Sequence, residues 1–255
     1  MLARLTLTAF AVTLLNAGDS LPRPTGAVAP ACRPLAFEGS RFTICTARSG
    51  DHRIRLADLD AGGRPLRQFS TLKVYLGTDA RRVAFAMNAG MYDLGGRPIG
   101  LHVEAGVEQA ALSRRDGSGN FHLKPNGVFY GDAGGWHVAA TDAFAAHRPR
   151  RIDFATQSGP MLVIEGRLHP AFAPDGTSKH IRNGVGIDEE GNAIFAISEE
   201  RVSFGRFARL FRDELGCRDA LYLDGSISRL WDPAAGREDR GAPLGPMVVV
   251  LDAGG

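Results

Sequence analysis

Hydrophobic and polar residues along this chain follow short-range patterns that predict strands more often than helices. Alternation of the two classes predicts strands over residues 42–47 and 53–59, and a short apolar run predicts a buried strand over 82–87. Similar segments, several of them bounded by glycine-containing turns, lie at residues 100–104, 127–130, 136–140, 161–164, 184–188, 193–198, 220–223 and 247–251.

One segment has the periodicity of an amphipathic helix. Ser203 is a suitable N-cap, and Gly216 suits the left-handed position that ends many helices. Between them, five apolar residues share one helical face: Phe204, Phe207, Ala208, Phe211 and Leu215. No internal repeat is visible, and no linker divides the chain after about residue 32. We therefore expect one α+β domain of mixed or mainly antiparallel β-sheets with a few helices.

The N-terminal segment has the features of an export signal. Arg4 precedes an apolar run at residues 5–15, which is too short to span a bilayer because a span needs ~20 residues. We expect a signal peptide that ends near residue 18, a Pro-rich linker over 19–31 and the functional domain over 32–255. The protein is then periplasmic or secreted, without stable membrane insertion.

Composition narrows the possible partners. The 30 Lys and Arg residues nearly balance the 28 Asp and Glu residues, so there is no reason to expect nucleic acid as a partner. In an oxidising compartment, Cys32 and Cys45 are expected to form a disulfide that closes a small hairpin. The histidines and cysteines lack zinc-ligand spacing, so we expect no metal and no other cofactor. The oligomeric state stays open.

Five clusters of polar residues and glycines lie at strand boundaries and carry the candidate chemistry. One such cluster is usually a turn, but five suggest loops that converge on a pocket where backbone N–H groups reach a ligand. Asp224 is the strongest carboxylate candidate, because it ends an apolar strand before a glycine. The residues expected to bind substrate are Asn88, Gly90, Lys124, Asn126, Ser158, Gly225 and Ser228.

The order of these clusters resembles the phosphodiester glycosidase family, which includes the catalytic domain of the mannose-6-phosphate uncovering enzyme. The motifs are Asn-Ala-Gly-Met-Tyr from residue 88, Pro-Asn-Gly-Val-Phe from 125, Gln-Ser-Gly-Pro-Met-Leu from 157, Arg-Asn-Gly-Val-Gly from 182 and Leu-Asp-Gly-Ser-Ile-Ser from 223. The resemblance covers roughly residues 35–251 and is nearest to the exported bacterial YigE-like branch. It implies an α+β fold and hydrolysis of a sugar-1-phosphodiester, typically one of N-acetylglucosamine.

The resemblance also suggests catalytic roles for three residues. Arg182 suits the phosphate, because its planar fork can bind two oxygens. Asp224 suits the anomeric carbon as nucleophile, base or stabiliser of positive charge, and the sequence does not separate these roles. Glu199 is the candidate partner carboxylate, although an exposed acid at a strand end is the preferred interpretation. Tryptophans in such positions are more often core or rim residues than sugar platforms, and of Trp136 and Trp231 the latter is the better platform candidate because it closely follows Ser228.

Two other functions remain open. The chain could be a non-catalytic binding protein for anionic envelope glycans, since one fold hosts many functions. It could also be a phosphodiesterase that breaks the P–O bond rather than the C–O bond. A carbohydrate phosphodiester or an envelope glycan is the expected partner in each case.

Overall fold

Strands dominate the computed structural model of the protein, which describes residues 30–224 and 227–254. The expected signal peptide at 1–18, residues 19–29 of the expected linker, and Gly225 lie outside the described residues. The strands are β1 (Cys32–Phe37), β2 (Ser40–Ala47), β3 (His52–Ala57), β4 (Val83–Asn88), β5 (His102–Glu104), β6 (Val107–Ala110), β7 (Gly127–Asp132), β8 (Gly135–Ala140), β9 (Phe154–Ser158), β10 (Met161–Ile164), β11 (Arg167–Leu168), β12 (Asn183–Ile187), β13 (Ala193–Ser198), β14 (Asp219–Tyr222), β15 (Leu230–Asp232), β16 (Arg237–Glu238) and β17 (Met247–Asp252).

The strands form three sheets. The first has the order β1-β2-β13-β12-β14-β10-β11, the second β16-β15-β4-β17-β3, and the third β6-β5-β9-β7-β8. The described strand pairs are antiparallel. The expected single α+β domain is confirmed, and the sheets are antiparallel rather than mixed among the pairs described.

A common core lies between the three sheets. Phe195 of the first sheet packs against Phe85 of the second and Phe129 of the third, with ring centroids 5.3 and 5.7 Å apart. These side chains are fully buried and belong to one apolar cluster. Successive side chains of a strand point to opposite faces of its sheet. The residues that alternate with these core residues therefore pack on the outer faces of the three sheets.

Each outer face is covered by one short helix. Helix α1 (Phe69–Leu76) packs on the second sheet, α2 (Thr141–Ala146) on the third, and α3 (Phe204–Arg209) on the first. Helix α3 continues into a π-helical turn at Leu210–Glu214. Ser203 caps α3 by accepting a hydrogen bond from the Arg206 N–H, and Gly216 has the left-handed φ of 64° predicted for it. Within the residues described, no helix is both long and apolar enough to cross a membrane.

The N-terminal hairpin is closed by the expected disulfide. Cys32 and Cys45 are paired directly across β1 and β2, and their sulfur atoms are bonded. The 13-residue separation of these cysteines restricts the unfolded chain, which stabilises the fold by about 3 kcal/mol in the loop-entropy account. The third cysteine, Cys217, is buried, and burial raises the pKa of its thiol to about 12. It is therefore an unreactive core residue, as expected.

Candidate active site

The candidate site forms where β14 ends. Strand β14 runs beside β12, and Asp224 follows it after one further residue, Leu223. Asp224 is only 6% exposed, and its backbone N–H donates to Asn183 Oδ1 at 3.2 Å. A carboxylate at this depth is costly to desolvate. The backbone beside it is held by a specific polar network.

Asn183 is the centre of that network. Its Oδ1 also accepts from the Ser228 hydroxyl at 3.2 Å and from Asn88 Nδ2 at 3.4 Å, while its Nδ2 donates to the Asn88 carbonyl at 2.9 Å. Asn88 Oδ1 in turn accepts from the Arg229 N–H at 2.8 Å. One buried side chain thus joins the end of β4, the start of β12 and the segment after β14, which places three of the predicted clusters together.

A second contact fixes the same strand end from the third sheet. The Ser158 hydroxyl, which is fully buried at the end of β9, donates to the Leu223 carbonyl. Gly90 also lies against this sheet: its N–H donates to Thr156 Oγ1 at 3.1 Å, and a Cβ there would lie 2.4 Å from the same oxygen. Gly90 is therefore required by close packing, and its N–H is already occupied by the protein.

Asp224 opens onto a cleft of about 630 Å3, within the usual size of a small-molecule site. The charged and polar side chains of its lining are Arg67, Tyr92, Asp93, Ser118, Asn120, His122 and Asp224, and the apolar ones include Met91, Leu94, Ile99 and Ile227. Burial raises the pKa of Tyr92 to about 12, the charge of Asp224 adds to the rise, and Arg67 and Arg229 oppose it. Tyr92 therefore lies within electrostatic reach of both Asp224 and Arg67.

Arg182 lies in the interior rather than in this cleft. It is 0% exposed, and its guanidinium donates to the carbonyls of Val202 and Ser178 and to the Tyr222 hydroxyl, at 2.8–2.9 Å. The guanidinium also stacks on the Phe204 ring, 3.6 Å from its centroid. Burial lowers the pKa of Arg182, and the Tyr222 hydroxyl opposes the shift. The predicted phosphate fork is occupied by groups of the protein itself.

The side chains of the second predicted cluster do not line the Asp224 cleft. Lys124 Nζ donates to the Arg114 carbonyl at 3.1 Å and to Asp116 Oδ1 at 2.6 Å, and it lines a different cavity. Asn126 is buried and donates to the Phe121 carbonyl at 2.9 Å, which orders the backbone beside the cleft. Asn126 thus supports the cleft wall, whereas Lys124 does not reach it.

Two further predicted residues are also engaged elsewhere. Glu199 Oε1 accepts from the Thr43 hydroxyl and from Arg237 Nη1, each at 2.6 Å, so this carboxylate is neutralised within the fold and does not line the cleft. Trp231 belongs to β15 and packs against Phe69 beneath Lys73. It is a core residue of the second sheet rather than a sugar platform.

Sequence reasoning missed three residues that the structure assigns to the site. Asn183 lies inside a predicted cluster, but its contact with Asp224 depends on the pairing of β12 with β14, which the sequence pattern does not reveal. Tyr92 was inside the first motif, directly after the apolar Met91. Arg67 carried no signal, because it lies in a loop outside every cluster.

The described residues hold no group of three or more His, Cys, Asp and Glu side chains arranged to bind a metal ion.

Comparison with known proteins agrees with this architecture. A sequence model of the phosphodiester glycosidase family matches residues 81–248, about two thirds of the chain. The "Uncharacterized protein YigE" of Escherichia coli (strain K12) is 43% identical over 152 residues, which are 59% of this chain and 58% of that protein. The chain thus matches less than two thirds of the length of this curated relative.

Solved structures show the same fold. The catalytic domain of zebrafish N-acetylglucosamine-1-phosphodiester alpha-N-acetylglucosaminidase, auto-inhibited by its pro-peptide, superimposes with a TM-score of 0.58 and 14% identity over 88% of this chain and 82% of that chain. A hypothetical protein from Synechocystis superimposes with a TM-score of 0.56 and 17% identity over 87% of this chain and 61% of that chain. At these identities the likeness concerns the fold.

Proposed function

Because this chain belongs to the phosphodiester glycosidase family, we propose that it hydrolyses the sugar–phosphate bond of a sugar-1-phosphodiester at the Asp224 cleft. The zebrafish protein of the same fold is named for an N-acetylglucosamine-1-phosphodiester, so N-acetylglucosamine is the sugar we propose first. The observation that carries the proposal is the almost buried carboxylate of Asp224, held at a cleft of small-molecule size.

The arrangement fits the chemistry of such a bond. When the C–O bond breaks, its electron pair leaves with the phosphate oxygen, and positive charge develops on the sugar ring. A carboxylate beside the anomeric carbon stabilises that charge or attacks it, and a water oxygen then bonds to the same carbon. The products are a free sugar and a phosphomonoester. Asn183 contributes by holding the backbone of Asp224 in place before the reaction.

We also propose that the protein acts outside the cytoplasm. The Cys32–Cys45 disulfide supports this, because such bonds persist in oxidising compartments and are rare in the cytosol. The apolar run at residues 5–15 is the expected export signal.

The decisive experiment compares Asp224, which follows β14, with Asp219, the first residue of that strand. Asp224→Asn should lower the release of N-acetylglucosamine from its 1-phosphate methyl diester by on the order of 1,000-fold, because a charge needed in the transition state is lost. Asp219→Asn is the matched control. Asp219 begins the same strand and accepts from the Glu165 N–H, away from the cleft, so its variant should keep wild-type activity.

Three results would contradict the proposal. The first is equal activity in both variants, and the second is a product mixture of sugar phosphate and alcohol. The third is saturable binding of anionic glycans by a wild-type protein that releases no sugar, which would favour the binding-protein function.

A further inference from the structure

Arg67 is a cation that lines the Asp224 cleft and forms no salt bridge with the described residues. Within residues 30–224 and 227–254, its side chain makes no hydrogen bond and no ion pair, and its Nη1 is buried without a hydrogen-bond partner. The guanidinium lies over the Tyr92 ring, 5.9 Å from the centroid. A buried donor without a hydrogen-bond partner is unfavourable, so a partner for Nη1 is expected from outside the fold.

The backbone around Arg67 is built to hold this position. Arg67 has a left-handed φ of 64°, which a non-glycine residue rarely adopts. Its carbonyl accepts from the Leu244 N–H at 2.8 Å, which ties the loop to the segment before β17. Strained backbone that surrounding contacts maintain is concentrated at functional sites.

Gly96 leaves room for the guanidinium. A Cβ at Gly96 would lie 1.7 Å from Arg67 Nη1, so any side chain there would displace the cation. The Tyr92 ring and the Gly96 turn thus form two sides of a slot that orients the guanidinium. Tyr92 is itself fixed, because its hydroxyl donates to the Pro243 carbonyl at 2.9 Å.

The cleft therefore contains two groups of opposite charge with different tasks. Asp224 is a carboxylate, which repels a phosphate and suits a developing sugar cation. A planar guanidinium matches two oxygens of a phosphate. The apolar side chains of Met91, Leu94 and Ile227 in the same lining offer a surface for the sugar ring.

We propose that Arg67 is the residue that binds the phosphate group of the substrate and selects sugar phosphates over uncharged sugars. This inference rests on the proposed function for the identity of the ligand. Arg67 lies outside the family match at residues 81–248, so the proposal is specific to the contacts seen in this chain.

The test measures binding rather than turnover. Calorimetry gives the Kd of the full-length protein for N-acetylglucosamine-1-phosphate and for N-acetylglucosamine. Arg67→Ala should weaken binding of the sugar phosphate by about 30-fold, because hydrogen bonds to a charged group are lost, and change binding of the neutral sugar by less than about 3-fold. Arg67→Lys keeps the positive charge but not the planar guanidinium, so its Kd for the sugar phosphate should lie between those of the wild type and Arg67→Ala.

Two controls accompany the variants. Arg97→Ala removes the same charge from an exposed position in the neighbouring turn and should leave both Kd values unchanged. Circular dichroism and the thermal midpoint show whether each variant is folded. If Arg67→Ala does not fold, the comparison of Arg67→Lys with Arg67→Gln provides the same contrast.

The outcomes separate this inference from the proposed function. Arg67-dependent binding of the sugar phosphate in a protein that does not hydrolyse the diester supports the inference and contradicts the proposed function. Hydrolysis by a wild-type protein whose Arg67 variants bind the sugar phosphate normally overturns the inference alone. The inference is also overturned if Arg67→Ala weakens the binding of the sugar phosphate and of the neutral sugar equally, or if the wild type does not bind the sugar phosphate.

Discussion

Two arginines near the candidate site, Arg182 and Arg67, differ in what their guanidinium groups contact. The Arg182 guanidinium is bonded to Val202, Ser178 and Tyr222, all within the fold. The Arg67 guanidinium lies over the Tyr92 ring and beside Gly96, makes no hydrogen bond or ion pair with the described residues, and lines the cleft. An arginine whose donors are satisfied by the protein acts on structure, whereas one with unsatisfied donors at a cleft is available to a ligand.

The difference also concerns the chain segments that each arginine joins. Arg182 connects Ser178, in the loop after β11, to Tyr222 at the end of β14. The same loop supplies the Ile181 carbonyl that accepts from the Ser228 hydroxyl beside Asp224. Arg182 is thus a positioning residue for the segment around Asp224, and Arg67 is the proposed contact for the substrate.

The largest expected difference between variants of the two arginines is in the free energy of unfolding. Arg182→Met should lower the free energy of unfolding by about 3 kcal/mol, because two carbonyls and a hydroxyl lose a charged donor in the interior. Arg67→Ala should change it by less than about 0.5 kcal/mol, since no protein hydrogen bond is lost. Urea unfolding of both variants measures the difference.

Binding by the Arg182 variant completes that test. Because the segment beside Asp224 loses its anchor, Arg182→Met should weaken the binding of the sugar phosphate and of the neutral sugar by the same factor. A stable Arg182→Met protein that loses binding of the sugar phosphate but still binds the neutral sugar would contradict the comparison. It would indicate that Arg182, and not Arg67, binds the phosphate.

A smaller effect is expected from the slot that orients Arg67. Gly96→Ala should weaken binding of N-acetylglucosamine-1-phosphate by about 10-fold, because the new methyl displaces the guanidinium and its hydrogen bonds to the ligand. Gly63→Ala is the matched control: Gly63 also has a positive φ, of 76°, but nothing lies near its added Cβ.

Both glycine variants should lose about 1 kcal/mol of stability from backbone strain. Only Gly96→Ala should also bind N-acetylglucosamine-1-phosphate more weakly than the wild type. The same Kd for the two variants would show that the Gly96 slot does not orient Arg67.

The pattern of the sequence was sufficient for most of the sheet residues. Residues 83–87 of the predicted strand 82–87, and the run 247–251, are apolar on both faces because the core and a covering helix bury them, and the structure places them in β4 and β17. Arg82 instead ends the turn before β4. Helix α1 was missed although Phe69, Leu72 and Leu76 share a face, since the exposed Val74 and Tyr75 between them obscure the periodicity. Strand β15, with three residues, is too short for a pattern.

The site was only partly predictable for a physical reason. Asp224, Asn88 and Ser228 could be named because strand ends with polar residues and glycines are local signals. Whether an arginine is bonded to carbonyls or left for a ligand depends on contacts distant in sequence, as for Arg182 with Tyr222 and Arg67 with Gly96. Local patterns do not contain that information.

The central claim is that the cleft breaks the bond between the sugar and the phosphate. The most direct measurement is hydrolysis of the methyl diester of N-acetylglucosamine-1-phosphate in water enriched in oxygen-18, followed by mass spectrometry of the methyl phosphate. The account predicts methyl phosphate without label, because water attacks the anomeric carbon. Labelled phosphate in either product, or no cleavage of the diester, would contradict it.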